Sequence, residues 1–130
     1  VPVILGSTLG RVESAGGTSI EISAPLDTAP AVTFDALVLP GGEGASEAMA
    51  RNGRVLEFVK DTYRHCKPIL VLGNATQVLE AAGIPTALSS GKADTGLIVG
   101  DGASNSAAAF IKAIAMHRHF ARESEPEPVV

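Results

Sequence analysis

Two short apolar runs, Phe34-Asp35-Ala36-Leu37-Val38-Leu39 and Ile69-Leu70-Val71-Leu72, each end in a glycine turn, at Pro40-Gly41-Gly42 and at Gly73. Runs with so little polar alternation suit strands covered on both faces, which in a single domain means a parallel sheet. Parallel neighbours need a crossover. Between the runs, Asn52 offers an N-cap to a helix whose Val55, Leu56, Val59 and Tyr63 share one face. After Gly73, a second helix turns Val78, Leu79 and Ala82 inward and closes at Gly83. The expected architecture is α/β, a flavodoxin-like, doubly wound and mostly parallel sheet with helices on both faces and right-handed crossovers. Such sheets place their sites at the carboxyl ends of the strands, here the loops Pro40 to Gly44 and Gly73 to Thr76.

The remaining segments fit around that unit. Val1 to Leu5 reads as a buried strand ended by Gly6, and Arg11 to Ser14 with Thr18 to Ile22 as an added hairpin turning through Ala15-Gly16-Gly17. Pro25 and Pro30 make Ala24 to Thr33 a loop, and Ser46 can cap a short helical turn. Ala87 to Asp94 is small and polar, Gly96 to Gly100 is a last strand, and Asp101-Gly102 is a turn. Ala107, Phe110, Ile111, Ile114, Ala115 and Arg118 recur at helical spacing, with Ser104, Asn105 or Ser106 as the cap. With 45% apolar residues in 130, the chain can bury one core, assigned to residues 1–122, and residues 123–130 read as an acidic, proline-broken tail.

Several function classes lose their support. The net charge is −4 and no basic run interleaves with aromatics, so a nucleic-acid footprint is missing. No apolar run approaches the roughly 18 residues of a membrane helix, and Val1 to Leu5 lacks the basic start of a signal peptide. A lone Cys66 forms no internal disulfide, which fits a reducing compartment, and a cytoplasmic location is expected.

The string Phe34 to Gly42, followed by Asn52-Gly53-Arg54-Val55-Leu56 and Lys67-Pro68-Ile69, resembles the DJ-1/PfpI and class I glutamine amidotransferase-like superfamily. In that superfamily the strand after Lys-Pro-Ile ends in an elbow bearing Cys-His-Gly. Here Gly73, Asn74 and Ala75 align with it. Glycine has no side chain to attack with, so the elbow is degenerate and hydrolase, amidotransferase and glyoxalase readings lose their nucleophile. Cys66 is no substitute, because it precedes the strand, roughly 20 Å from the elbow at about 3.3 Å per residue.

Gly73-Asn74-Ala75 together with Met116-His117-Arg118-His119-Phe120-Ala121-Arg122 resembles the C-terminal domain of large-subunit heme catalases. With the hairpin and the Gly96 strand the likeness covers nearly the whole chain. It implies a homotetrameric parent, an oxidoreductase that converts hydrogen peroxide to water and oxygen on heme held in an upstream catalase core. No cofactor is implied within these residues. The heme tyrosine of that family lies in an Arg-x-Phe-Ser/Ala-Tyr context, whereas Tyr63 lies in Asp61-Thr62-Tyr63-Arg64 on an apolar helix face and reads as packing. Val1 to Leu5 matches the second strand of such domains, so the first strand and helix are missing, and a gap with unpaired backbone groups is expected where that strand would lie.

No catalytic residue is therefore assigned, and the positions open to a vestigial ligand or partner are Gly41, Gly42, Glu43, Asn74, Thr76 and Arg118. A glycine-rich turn after a buried strand is first a structural turn and only second an anion cradle. Asn74 beside a helix start reads first as a cap, with a ligand contact as the alternative. His65 with Cys66, and His117 with His119, fall short of the three or four converging ligands a metal wants, and residues two apart on a helix point about 200° away from each other. They read as surface histidines. Arg118 falls on the apolar stripe, where a guanidinium needs a fixed ion pair or an interface. The function expected is a non-catalytic accessory domain that stabilises a heme catalase subunit and shapes access to its core. The alternatives are a chaperone-like holdase and a stand-alone DJ-1/PfpI-type enzyme with an atypical nucleophile.

Overall fold

The computed structural model describes residues 1–100 and 104–126. In chain order its strands are β1 (Leu5–Gly6), β2 (Gly10–Glu13), β3 (Ser19–Ile22), β4 (Ala24–Pro25), β5 (Leu37–Leu39), β6 (Ile69–Leu72) and β7 (Leu97–Gly100). The α-helices are α1 (Ala45–Ala50), α2 (Gly53–Arg64), α3 (Thr76–Ala82) and α4 (Ser104–Ala115). β5, β6 and β7 form a parallel sheet in that order, and their register places Leu37, Ile69 and Leu97 in one row and Leu39, Val71 and Val99 in the next row on the same face. Leu39, Ile69 and Val71 enter the core with Val59 and Tyr63 of α2 and Val78, Leu79 and Ala82 of α3. α4 lies on β7 and β6.

Local chemistry sets the helix ends. The Asn52 Oδ1 accepts from the N–H groups of Arg54 at 3.0 Å and Val55 at 3.4 Å, so α2 begins where its sequence predicts. It ends in a left-handed turn at Cys66, φ 58°, where Cys66 N donates to Tyr63 O and Lys67 N to Thr62 O. This is the Schellman closure, with a cysteine in the place glycine usually takes. Gly83, φ 71°, closes α3 the same way, with Ile84 N donating to Leu79 O at 2.9 Å.

Lys67 then turns inward. Its Nζ donates to Ala31 O at 3.5 Å, to Val32 O at 2.6 Å and to Phe34 O, fastening the 3-10 turn Ala31–Thr33 to the start of β6. Burial pushes the Lys67 ammonium below its ordinary pKa, and the nearby Arg118 adds to that. Lys67→Met leaves these carbonyls without their donor and is expected to lower unfolding stability by about 1–3 kcal/mol, read from the denaturant midpoint.

The structure corrects several expectations. The first strand is Leu5–Gly6 alone, paired in parallel with Ala24–Pro25, so a strand stands where proline predicted only loop. Proline is tolerated there because the pair is two residues long and ends at Pro25. The hairpin forms as expected, with Val12 opposite Ile20. β5 is shorter than its apolar run and is covered on one side only, with Val38 45% exposed. Ser46 caps nothing: the residue before α1 is Gly44, and Ser46 lies inside the helix, fully buried. α4 ends at Ala115, and its inward residue is Ala113, while Ile111 is 67% exposed. The Asp101-Gly102 turn lies outside the described residues. The acidic segment is tied down as far as Glu125, whose carboxylate accepts from Ser89 N and Ser89 Oγ.

β5 lies at one open edge of its sheet. Among the described residues β1 bonds only to β4 and β5 only to β6, so the outer edge of β5 has no strand partner.

Candidate functional site

β6 delivers its chain to the elbow, where Gly73 adopts φ 53° before a 3-10 turn, Gly73–Ala75, leads into α3. A Cβ built on Gly73 would have only Gly41 Cα near it, at 3.9 Å, so the space for a side chain exists and the side chain does not. Across from it the Pro40 to Gly44 loop comes very close. A Cβ on Gly41 would lie 2.7 Å from Leu72 O and 3.4 Å from Asn74 Oδ1, which requires glycine at that position.

Asn74 joins the two loops. Its Oδ1 accepts from Gly42 N at 3.0 Å and from the buried Ser46 Oγ at 2.7 Å, and its Nδ2 donates to Gly42 O at 3.3 Å. The expected capping role is thereby corrected, since α3 starts after Ala75 with no side-chain cap. The inserted 3-10 turn displaces Asn74 from the cap position and points it back at the glycine loop. Gly41, Gly42 and Asn74 are thus brought together, whereas Glu43 is exposed, Thr76 is half-buried, and neither joins this network. Sequence reasoning missed Ser46 as a member because a serine near a helix start reads as a cap.

Asn74 thereby closes the elbow from within the chain. The Gly42 N–H that could polarise a substrate oxygen is spent on the chain's own carboxamide, and Gly73 carries no side chain beside it. Cys66 sits at the opposite end of β6, 3% exposed, its Sγ donating to Arg64 O at 3.8 Å. Burial pushes its thiol above the ordinary value of 9.0, away from the thiolate that nucleophilic chemistry needs.

Arg118 does not occupy the interior. It follows α4, is exposed, and donates through Nη1 to His65 O at 3.2 Å. The buried guanidinium belongs to Arg122, because His117, φ 62°, turns the chain so that residues 119–122 return to the sheet. Arg122 Nε meets Asp94 Oδ2 at 2.7 Å, Nη1 donates to Lys67 O at 2.7 Å, and its Cζ lies 4.7 Å from the centre of the Tyr63 ring. Asp94 Oδ1 accepts from Gly96 N at 2.9 Å. His119 is buried rather than exposed: Nε2 lies 3.0 Å from Ala113 O, which can only accept, so Nε2 donates and Nδ1 accepts from Thr95 Oγ1 at 2.8 Å in the neutral ring. Gly96 was the available sequence signal, since a Cβ there would strike both Arg122 and His119.

The groups of this cluster are turned on one another. The Tyr63 hydroxyl is buried beneath Arg122 without a hydrogen-bond partner, and both His119 nitrogens are engaged. Among the described residues no group of three or more His, Cys, Asp or Glu side chains is placed to hold a metal, and no helix is long and apolar enough to cross a membrane.

The buried groups set an alkaline limit. Cys66 is raised chiefly by burial, and Tyr63 is raised by burial and then by Asp94. In each case the unfolded chain loses its proton first, so the stabilisation is complete below pH 9.0 and is lost as pH climbs through the folded values. Lys67 works in the opposite sense between its lowered value and 10.5. Thermal melts from pH 7.5 to 10.5 should therefore fall more steeply above pH 9 for the parent sequence than for Cys66→Ala, and parallel curves would remove the assignment to Cys66.

A family model for the C-terminal domain found in long catalases matches residues 1–124. Catalase HPII of Pseudomonas putida is 28% identical over 128 residues, covering 98% of this chain and 16% of the relative. Catalase C of Rhizobium meliloti is 34% identical over 125 residues, covering 92% of this chain and 16% of the relative. The chain therefore spans about a sixth of the length of these relatives. A solved two-domain protein with DJ-1/ThiJ/PfpI-like and ferritin-like domains from Anabaena variabilis superposes with a TM-score of 0.70 at 22% identity, covering 88% of this chain and 39% of that one. That likeness establishes the fold, and the match along residues 1–124 establishes the lineage: this chain belongs to the family of C-terminal domains found in long catalases.

Proposed function

We propose that this chain is a non-catalytic accessory domain of a heme catalase, which stabilises the subunit and shapes access to a core lying upstream in the same polypeptide. The observation that carries the reading is the elbow: Gly73 offers no nucleophile, and Asn74 occupies the donors of the facing loop. The parent reaction is then the conversion of hydrogen peroxide to water and oxygen, on heme bound by the core, in a cytoplasmic homotetramer. In this reading the residues described above bind no cofactor and no nucleic acid. The full polypeptide is expected to show a heme Soret band and to evolve oxygen from peroxide, and the 130-residue chain neither. Peroxide turnover by the chain alone would contradict it.

The bare edge of β5 belongs to the same proposal. Its unpaired N–H and C=O groups can seat one more parallel strand, supplied by the longer polypeptide, because exposed edges of this kind are otherwise sites of adventitious pairing. Residues 1–130 expressed alone are accordingly expected to associate through that edge while still unfolding in a measurable transition, as judged by sedimentation and thermal denaturation. A cooperative, monomeric transition would refute the shared sheet.

A stand-alone enzyme of the DJ-1/PfpI type is disfavoured by the burial and raised pKa of Cys66. The holdase alternative finds exposed Val12, Val38, Ile111, Met116 and Phe120, an apolar surface of the scattered kind that ordinary domains carry.

A further inference from the structure

We propose that the elbow is a preformed recognition site for a primary carboxamide, held closed by the chain's own Asn74. Three polar groups converge on that side chain, each with the sense a carboxamide needs. Gly42 N–H and Ser46 Oγ–H point donors at one oxygen, 3.0 Å and 2.7 Å away, and Gly42 O takes a hydrogen from the amide nitrogen at 3.3 Å. Gly42 O also accepts from Ser46 N at 3.3 Å, and its second lone pair faces the amide nitrogen. A carboxylate would be repelled there and an N,N-dialkyl amide would press methyl groups against it, so the set favours –CO–NH2.

Two observations separate this site from an ordinary loop contact. Ser46 is fully buried and its hydroxyl has no other partner, so an empty site leaves a buried donor unsatisfied, the condition that a ligand relieves. Asn74 itself is exposed, so an external molecule could enter along the path its side chain now fills. The glycine loop is fixed by the close approach of Gly41 to Leu72 O and does not depend on Asn74 alone for its position. In the parent sequence the tethered side chain outcompetes any dissolved amide. Its removal opens the site.

The test is saturation-transfer NMR on the full polypeptide with acetamide as the probe and N,N-dimethylacetamide, which has no N–H, as its control. Asn74→Ala should show an acetamide signal several-fold above that of the parent sequence, at probe concentrations of order 10–100 mM, and no comparable gain for dimethylacetamide. Adding Ser46→Ala to Asn74→Ala should return the acetamide signal to the parent level. Equal signals from Asn74→Ala and the parent, or a gain shared by both amides, would overturn the proposal. Should Asn74→Ala fail to fold by circular dichroism, Asn74→Ser, whose shorter side chain also vacates the amide position, is judged by the same two criteria. The accessory-domain reading stands or falls separately, on oxygen evolution.

Discussion

Arg122→Met is expected to lower the stability of this domain by about 3–5 kcal/mol, the cost of stranding one member of a buried ion pair. The two side chains of the Arg122–Asp94 pair are 1% and 2% exposed, and the Asp94 carboxylate would keep only its bond from Gly96 N. Lys67 O would lose its donor as well, and the Tyr63 ring its cation. Arg122→Lys should recover little, because a single ammonium cannot reproduce a planar fork that reaches Asp94 and Lys67 O together. Removing Asp94 in the same chain, as Arg122→Met with Asp94→Leu, should restore part of the loss, since the stranded charge goes with it. Arg118→Met supplies the contrast. That guanidinium is exposed with one bond to His65 O, and a change within about 0.5 kcal/mol is expected. Denaturant titrations followed by circular dichroism measure all four, and similar losses for Arg118 and Arg122 would show that the buried pair has been misjudged.

Asn74→Ala is expected to cost about 1–3 kcal/mol, chiefly because it leaves the fully buried Ser46 hydroxyl without its acceptor, while the exposed Gly42 N–H turns to water and Gly42 O keeps Ser46 N. Ser46→Ala removes a donor together with its need for a partner and should cost nearer 1 kcal/mol. If the two act through one contact, the double variant should cost little more than Asn74→Ala alone, a coupling of about 1 kcal/mol in the mutant cycle. Additive losses would mean that Asn74 and Ser46 stabilise the fold independently.

These sites differ in how far the sequence reveals them. The βαβ unit is legible because its signals are local: Asn52 caps, Gly83 closes, and Ile69 to Leu72 carries no polar residue. The empty elbow is legible for the same reason, as a glycine where a nucleophile is wanted. What Asn74 does there is not, because capping and loop bridging use the same side chain, and a turn of 3-10 helix, Gly73–Ala75, decides between them. The last helix misled more deeply. Its spacing extends to Arg118, but an α-helix is bounded by the geometry of its exit, and the left-handed turn at His117 lies beyond what periodicity reports. Four residues further on, Arg122 takes the interior position, and its partner Asp94 is separated from it by the whole of β7 and α4. Strand edges are likewise a property of the assembled sheet, so Val38 reads as buried in the sequence and is 45% exposed in the fold.

If this domain supports a heme catalase without performing its chemistry, as proposed, oxygen evolution from hydrogen peroxide by the full polypeptide with and without these 130 residues, before and after graded heating, separates the two roles. The turnover number per heme is expected to stay unchanged within about twofold at 25 °C, and the temperature of half-inactivation to fall, when the chain is removed. A turnover number that collapses while heme remains bound would place chemistry in this domain and refute the accessory role.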